Sequence, residues 1–190
     1  MASYHGPKAK VQRRFGELLV PRAKYQKIIE KRPAPPGEHG QSKQFRSGRR
    51  SDYGLQLDEK QKLAFIYNVR ERQLRNYYKK ADKMPGRTGA NLMILLERRL
   101  ENVVYRSGYV ATTWAARQMI VHGHININGK RLDLPSYQVK PGDVISLRPK
   151  MQKNAHVLEL IEEGIRPPAY MEAAPEEFSA TITRLPEQRD

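Results

Sequence analysis

The hydrophobic period of this 190-residue chain changes at Gly123 from the 3.6 of helices to the 2 of strands, and such a switch admits few folds. Ahead of it, residues 91–104 carry Leu92, Leu95, Leu96, Leu100, Val103 and Val104 on one helical stripe; Thr88 is placed to cap that helix and Gly108 to end it. Thr112 or Thr113 caps a second short helix with Ala115, Ala116, Met119 and Ile120 on its apolar side, and Gly123 is its natural stop. Behind the switch, His124-Ile125-Asn126-Ile127 alternates, Asn128-Gly129 is the strongest short hairpin signal, and residues 130–134 return as the partner strand. Pro141-Gly142-Asp143 then turns the chain into a strand at 144–147. Two short helices followed by a small antiparallel sheet make an α+β module of about 60 residues. The last forty residues show a helical patch at 156–164, a Pro167-Pro168 interruption and a short strand at 179–184.

Upstream, residues 57–83 form the first clear helical region, with Asp58 and Glu59 suited to the positive end of its dipole. Leu63, Ile66 and Tyr67 recur at helical spacing, and so do Leu74, Tyr77, Tyr78 and Ala81. At about 100° per residue, Arg72, Arg75, Lys79 and Lys83 fall opposite the second set. Four like charges with no interleaved acid repel one another unless an anion lies across them. Residues 1–50 are basic and Pro/Gly-punctuated, and Pro33, Pro35 and Pro36 exclude a continuous helix there; in isolation this segment is expected to be largely irregular.

Position sharpens the charge. The net charge is +15, and residues 1–90 hold 22 Lys+Arg against 8 Asp+Glu, residues 91–150 hold 9 against 4, and residues 151–190 hold 4 against 8. A polyanion explains so strong an N-terminal bias, because clustered Lys and Arg gain counterion-release entropy on a phosphate backbone. Zero cysteine excludes disulfides, thiolate nucleophiles and Cys-ligated zinc. The longest strongly apolar run, residues 92–96, is far shorter than a membrane span, and the first ten residues lack the apolar centre of a signal peptide, so a soluble, unexported chain is expected. No nucleophile motif or phosphate-cradling Gly-Lys-Ser/Thr loop occurs. His122 and His124 share a strand face but do not make a closed metal site by themselves, so neither a metal nor a cofactor is expected. Trp114 reads as packing. The segment from Arg98 to Lys130 is the candidate RNA-facing surface, with Arg117 bridging phosphates bidentately, Gln118 beside it and Lys130 acting as a point charge at the hairpin turn. Such contacts read backbone shape more than base sequence.

Leu96-Glu97-Arg98-Arg99-Leu100-Glu101-Asn102-Val103-Val104-Tyr105-Arg106, Ala116-Arg117-Gln118, His122 and Asn128-Gly129 resemble the RNA-binding domain of the ribosomal protein S-four family of the bacterial-type small subunit. That domain also occurs in RNA-modifying enzymes and a stress-type RNA binder. The discriminating likeness lies upstream, in Ser51-Asp52-Tyr53-Gly54-Leu55-Gln56-Leu57, Glu59-Lys60-Gln61-Lys62 and Glu71-Arg72-Gln73-Leu74-Arg75-Asn76-Tyr77-Tyr78, and extends through Gly6-Pro7-Lys8, Arg13-Arg14 and Pro36-Gly37-Glu38-His39-Gly40. The resemblance implies a structural rRNA binder and not an enzyme, working in the ribosome in the cytoplasm or, from an organelle-encoded copy, in an organelle. It implies assembly nucleation at a multi-helix junction of the 5′ domain of small-subunit rRNA and a contribution to translational accuracy. Its implied neighbours are a ribosomal protein of the S-five family and mRNA where it enters the subunit, with no membrane. The alternative is a non-ribosomal RNA chaperone or RNA-modification factor using the same domain.

On this reading the candidate rRNA-binding residues are Lys8, Arg13, Arg14, His39, Lys43, Arg49, Arg50, Tyr53, Lys60, Lys62, Arg70, Arg72, Arg75, Lys79, Arg117, Gln118, His122, Asn128 and Lys130. The expected organisation is a basic extended segment over 1–50, a helical domain over 51–91 completed by part of 160–190, the RNA-binding domain over 92–155, and an acidic segment over 156–190 suited to protein contact. Three departures from the family pattern stand out. The four-cysteine zinc site of some relatives is absent, so rRNA is expected to hold the N-terminal segment. Thr113 replaces an Arg common in relatives, and the chain stops at Asp190 where relatives commonly continue into a further apolar segment.

Overall fold

The computed structural model describes residues 4–45, 51–164 and 167–187, which fall into two compact units, Met1–Glu71 and Arg72–Asp190. The expected 51–91 segment is thus divided between them.

The first unit contains α1 (Lys8–Phe15), α2 (Ala23–Lys31), α3 (Gly40–Phe45) and α4 (Asp52–Ile66). Among its described residues, 4–45, the N-terminal segment thus carries three helices where an irregular chain is expected. Polar anchors explain this where apolar periodicity is weak. Gly16, at φ 69°, closes α1 by donating its N–H to the Gln12 carbonyl at 2.9 Å, and the buried Gln12 side chain accepts from the Val20 N–H at 3.1 Å. Arg13 reaches from α1 to the proline-rich link, donating to the carbonyls of Arg32 at 2.9 Å and Ala34 at 2.8 Å. As the prolines require, α2 stops before that link. The hydroxyl of Ser51 accepts from the Gly54 N–H at 3.2 Å, so α4 starts ahead of Leu57. It ends before Asn68, whose φ of 50° breaks the expected 57–83 region in two. Phe65, Tyr67 and Val69 are buried there, whereas Ile66 faces out.

The second unit begins with α5 (Glu71–Asp82), which buries Leu74, Tyr77 and Ala81; Tyr78, expected beside them, is 53% exposed. The Asn91 amide donates to the carbonyls of Ala81, Met84 and Pro85 and so fixes the turn into α6 (Thr88–Glu97). Arg87, not Thr88, occupies the cap position, and the Thr88 hydroxyl donates to Asp82 at 3.4 Å. The helix expected across 91–104 is interrupted. At Arg98 and Arg99 the backbone pairs with residues 135–139: the Val139 N–H donates to the Arg98 carbonyl at 2.9 Å, and the Leu100 N–H to the Tyr137 carbonyl at 2.9 Å. A new helix, α7 (Leu100–Arg106), then runs to Gly108 at φ 83°.

Thr112 caps α8 (Thr113–Val121) by accepting from the Ala115 N–H at 3.2 Å. Gly123 at φ 71° turns the chain into β1 (Ile125–Ile127), and Asn128 and Gly129, both at positive φ, return it as β2 (Lys130–Arg131), shorter than the 130–134 expected. β3 (Val144–Leu147) is followed by α9 (Pro149–Gln152), α10 (Ala155–Glu162), β4 (Met171–Ala174) and β5 (Ser179–Ile182). The sheet is antiparallel in the order β2-β1-β3-β5-β4, pairing Ile127 with Ile145 and Ile145 with Ala180. This α+β fold is the expected class. The chain past 160 does not form part of a separate helical domain: β5 pairs with β3, and Tyr170, Met171, Ala180 and Ile182 join Leu100, Val104, Ala116 and Ile120 in the core.

Charge is buried beside that core. Arg99 and Glu101 are both fully buried. Arg99 donates two N–H groups to one oxygen of Glu101 and a third to the Tyr77 hydroxyl at 2.6 Å. Arg117, 8% exposed, donates to the other Glu101 oxygen at 3.1 Å. Burial pushes the Glu101 carboxyl above its ordinary value, and the two guanidiniums oppose that rise. Removing the carboxylate strands two buried cations. Glu101→Ala is expected to cost about 3–5 kcal/mol in urea unfolding, against less than about 1 kcal/mol for Glu71→Gln in the exposed Lys60–Glu71 pair.

Candidate nucleic-acid interface

In the first unit, several candidate cations are engaged within the chain. Arg13 is committed to carbonyl groups. Lys62 lies 2.6 Å from Glu17 and 2.8 Å from Glu59, which together hold its ammonium above the ordinary value. Lys60 pairs with Glu71 at 2.8 Å, and Arg14 lies 3.6 Å from Asp58 while remaining half exposed. Lys8 is partly buried in the first turn of α1. His39 and Arg70 are exposed, and Tyr53 is 74% exposed in the first turn of α4. Lys43 belongs to α3, and Arg49 and Arg50 lie outside the described residues.

The second unit presents two cationic surfaces. Along α5 and just past its end, the buried Leu74, Tyr77 and Ala81 leave Arg72, Arg75, Lys79 and Lys83 facing outward, and none of these four pairs with a carboxylate among the described residues. The other surface surrounds Gly123. Gln118, His122 and Lys130 are exposed there as expected. Arg117 is not: it is buried, and its guanidinium donates to Glu101, which anchors α8. Asn128 is likewise structural, donating to Asp143 at 2.9 Å and accepting from the Val144 N–H at 2.9 Å, which locks the hairpin turn onto β3.

Beside them stand residues that the sequence pattern did not single out. Arg131 packs its guanidinium against Gly123, where any Cβ would collide with it. Arg148 donates to the Gly123 carbonyl at 3.2 Å, and the rings of His122 and His124 lie 6.1 Å apart, edge to face. Burial holds His124 below its ordinary value, helped by the positive charges of Lys150, Arg148 and Arg131 and by His122. Only the register Asn126 to Arg131 and Ile125 to Leu147 brings these side chains together, so no linear motif announces them. Among the described residues no group of three His, Asp or Glu could hold a metal ion, and no helix is long and apolar enough to cross a membrane.

Residues 3–97 match the family described as ribosomal protein S4/S9 N-terminal domain, and residues 98–145 match the S4 domain. The small ribosomal subunit protein uS4 of Roseiflexus castenholzii is 45% identical over all of this chain and 92% of its own length. Its namesakes in Geobacillus stearothermophilus and Listeria monocytogenes are each 46% identical with the same coverage. This chain belongs to the uS4 family. The uS4 family is one of structural ribosomal proteins, not enzymes. The uS4 domain boundary at residue 98 coincides with the break between α6 and α7, where Arg98 and Arg99 leave the helix to pair with residues 135–139.

The depressed His124 gives a pH test. In the folded chain it takes up its proton below 6.5, whereas unfolded it does so near 6.5, so its contribution to stability is intact above that value and is lost as pH falls through the folded one. The urea midpoint is expected to drop more between about pH 7 and pH 5 for the unaltered chain than for His124→Gln; parallel curves would contradict this.

Proposed function

We propose that the protein is a primary rRNA-binding constituent of the small ribosomal subunit, nucleating assembly of the 5′ domain and contributing to translational accuracy. The observation that carries the reading is the exposed Arg72, Arg75, Lys79 and Lys83 stripe, held outward by a buried opposite face and lacking any carboxylate partner among the described residues. A phosphate backbone relieves its self-repulsion. The Gly123 surface offers a second set of contacts through Arg131, Arg148, Lys150 and the histidines, cationic groups of the kind that read backbone shape more than base edges. The basic segment 1–50 runs along the same rRNA, with Arg14, His39 and Tyr53 of the first unit available to it.

The acidic C-terminal segment serves protein contact. Glu172, Glu176 and Glu177 are exposed along the β4–β5 hairpin, and Glu159, Glu162 and Glu163 along and just past α10, a surface that suits a basic neighbour such as the S-five family protein and repels RNA. The site of action is the ribosome, near the path of incoming mRNA.

Filter binding to small-subunit rRNA fragments, set against unrelated RNAs of matched length, tests the reading at several salt concentrations. Preference for the small-subunit fragments is expected, and Arg72→Ala with Lys79→Ala is expected to lower the salt slope by roughly one for each lost phosphate contact. Equal affinity for all RNAs would sink the proposal, and an unchanged slope would mean that the α5 stripe is merely solvated.

A further inference from the structure

Gly123 stands between two histidines. It closes α8 at φ 71° by donating its N–H to the Ile120 carbonyl at 2.8 Å, while the His124 N–H reaches the Met119 carbonyl at 3.0 Å. His122 is thus the last residue of the helix turn and not a strand residue, and the left-handed turn sets its ring 6.1 Å from that of His124, edge to face. His122 is exposed and His124 half-buried. Both line a cavity of about 390 Å³ in the second unit, with Gln118 of α8 and His156 of α10 also in its walls.

The charge around this pair is of one sign. Arg131 of β2, Arg148 ahead of α9 and Lys150 within α9 all act on His124. The cavity walls hold no carboxylate among the described residues, and Glu159 of α10 lies 3.5 Å from the exposed His156 ring. The three imidazoles do not form a group that could hold a metal ion, and a further cation would meet the same repulsion. Burial first, and then the neighbouring positive charges, disfavour the protonated form of His124. Charging both rings at this separation costs free energy unless an anion shares the site, and a nearby phosphate favours the imidazolium.

We propose that a phosphodiester of the bound RNA seats at the mouth of this cavity against the His122–His124 pair, and that the pair takes up protons as it does so. The proposal rests on the rRNA-binding reading and adds proton linkage to it. Because the rings are close, the protons belong to the pair and not to either histidine alone. The linkage runs opposite to the stability effect of His124: a falling pH weakens the fold yet strengthens binding by the folded chain, so unfolding does not imitate it.

Filter binding of the full chain to small-subunit rRNA fragments at fixed salt tests the proposal. Affinity is expected to rise on the order of tenfold between about pH 8 and pH 6, and the double variant His122→Gln with His124→Gln is expected to lose that rise. A preference for these fragments that ignores pH would overturn the proton-linked site and leave the rRNA reading standing. A rise that persists in the double variant, which keeps His5, His39 and His156, would overturn it too. Absence of any preference at every pH would instead overturn the rRNA reading, and the proposal with it. Should the double variant fail to fold, NMR titration of the His122 and His124 ring signals in the unaltered chain, free and bound to an rRNA fragment, decides the matter. Their midpoints are expected to move up on binding, and unmoved midpoints would overturn the proposal.

Discussion

One buried carboxylate, that of Glu101, organises the second unit. It accepts from Arg99 on one oxygen and from Arg117 on the other, and Arg99 also reaches the Tyr77 hydroxyl, so α5, α7 and α8 are tied to a single charge cluster. Buried guanidiniums are tolerated only when paired, so the backbone has to bring them there. Arg99 does this by leaving the helical path at the break between α6 and α7 and bridging to Gln138. With α8 anchored through Arg117, its C-terminal end fixes Gly123, and Gly123 fixes where Arg131 and Arg148 stand. The interior charges thus determine the position of the exterior ones.

This division resolves the meaning of the net charge of +15. Arg13, Lys62, Arg99 and Arg117 contribute to the total, but each is consumed within the chain, by carbonyl groups or by carboxylates. The charges left facing solvent on α5 and around Gly123 are fewer and spatially confined.

The parts legible in the sequence were those governed by local chemistry. The hairpin at Asn128-Gly129, the Thr112 cap, the stops at Gly108 and Gly123 and the exposed stripe of α5 all follow from propensity or period. What escaped depends on residues distant in the chain. The apolar stripe of 91–104 runs through the break at Arg99, because only pairing with residues 135–139 interrupts it. β4 has no alternating pattern and exists because β5 supplies a partner edge. Asn128 and Arg117 looked like ligand contacts because their type and spacing suit RNA, yet Asp143 and Glu101 lie where they satisfy both. Within residues 4–45, helices form on polar anchors such as Gln12 and Arg13, which periodicity does not register.

The central claim, that interior pairing sorts the basic residues into structural and contacting sets, is most directly tested by lysine-specific chemical labelling of the chain, free and bound to small-subunit rRNA, read by mass spectrometry. Lys79, Lys83, Lys130 and Lys150 are exposed and are predicted to lose reactivity on binding, while Lys62, held between Glu17 and Glu59, is predicted to stay at the same low level. Unchanged reactivity on α5 and around Gly123, or protection centred on Lys62, would contradict the account.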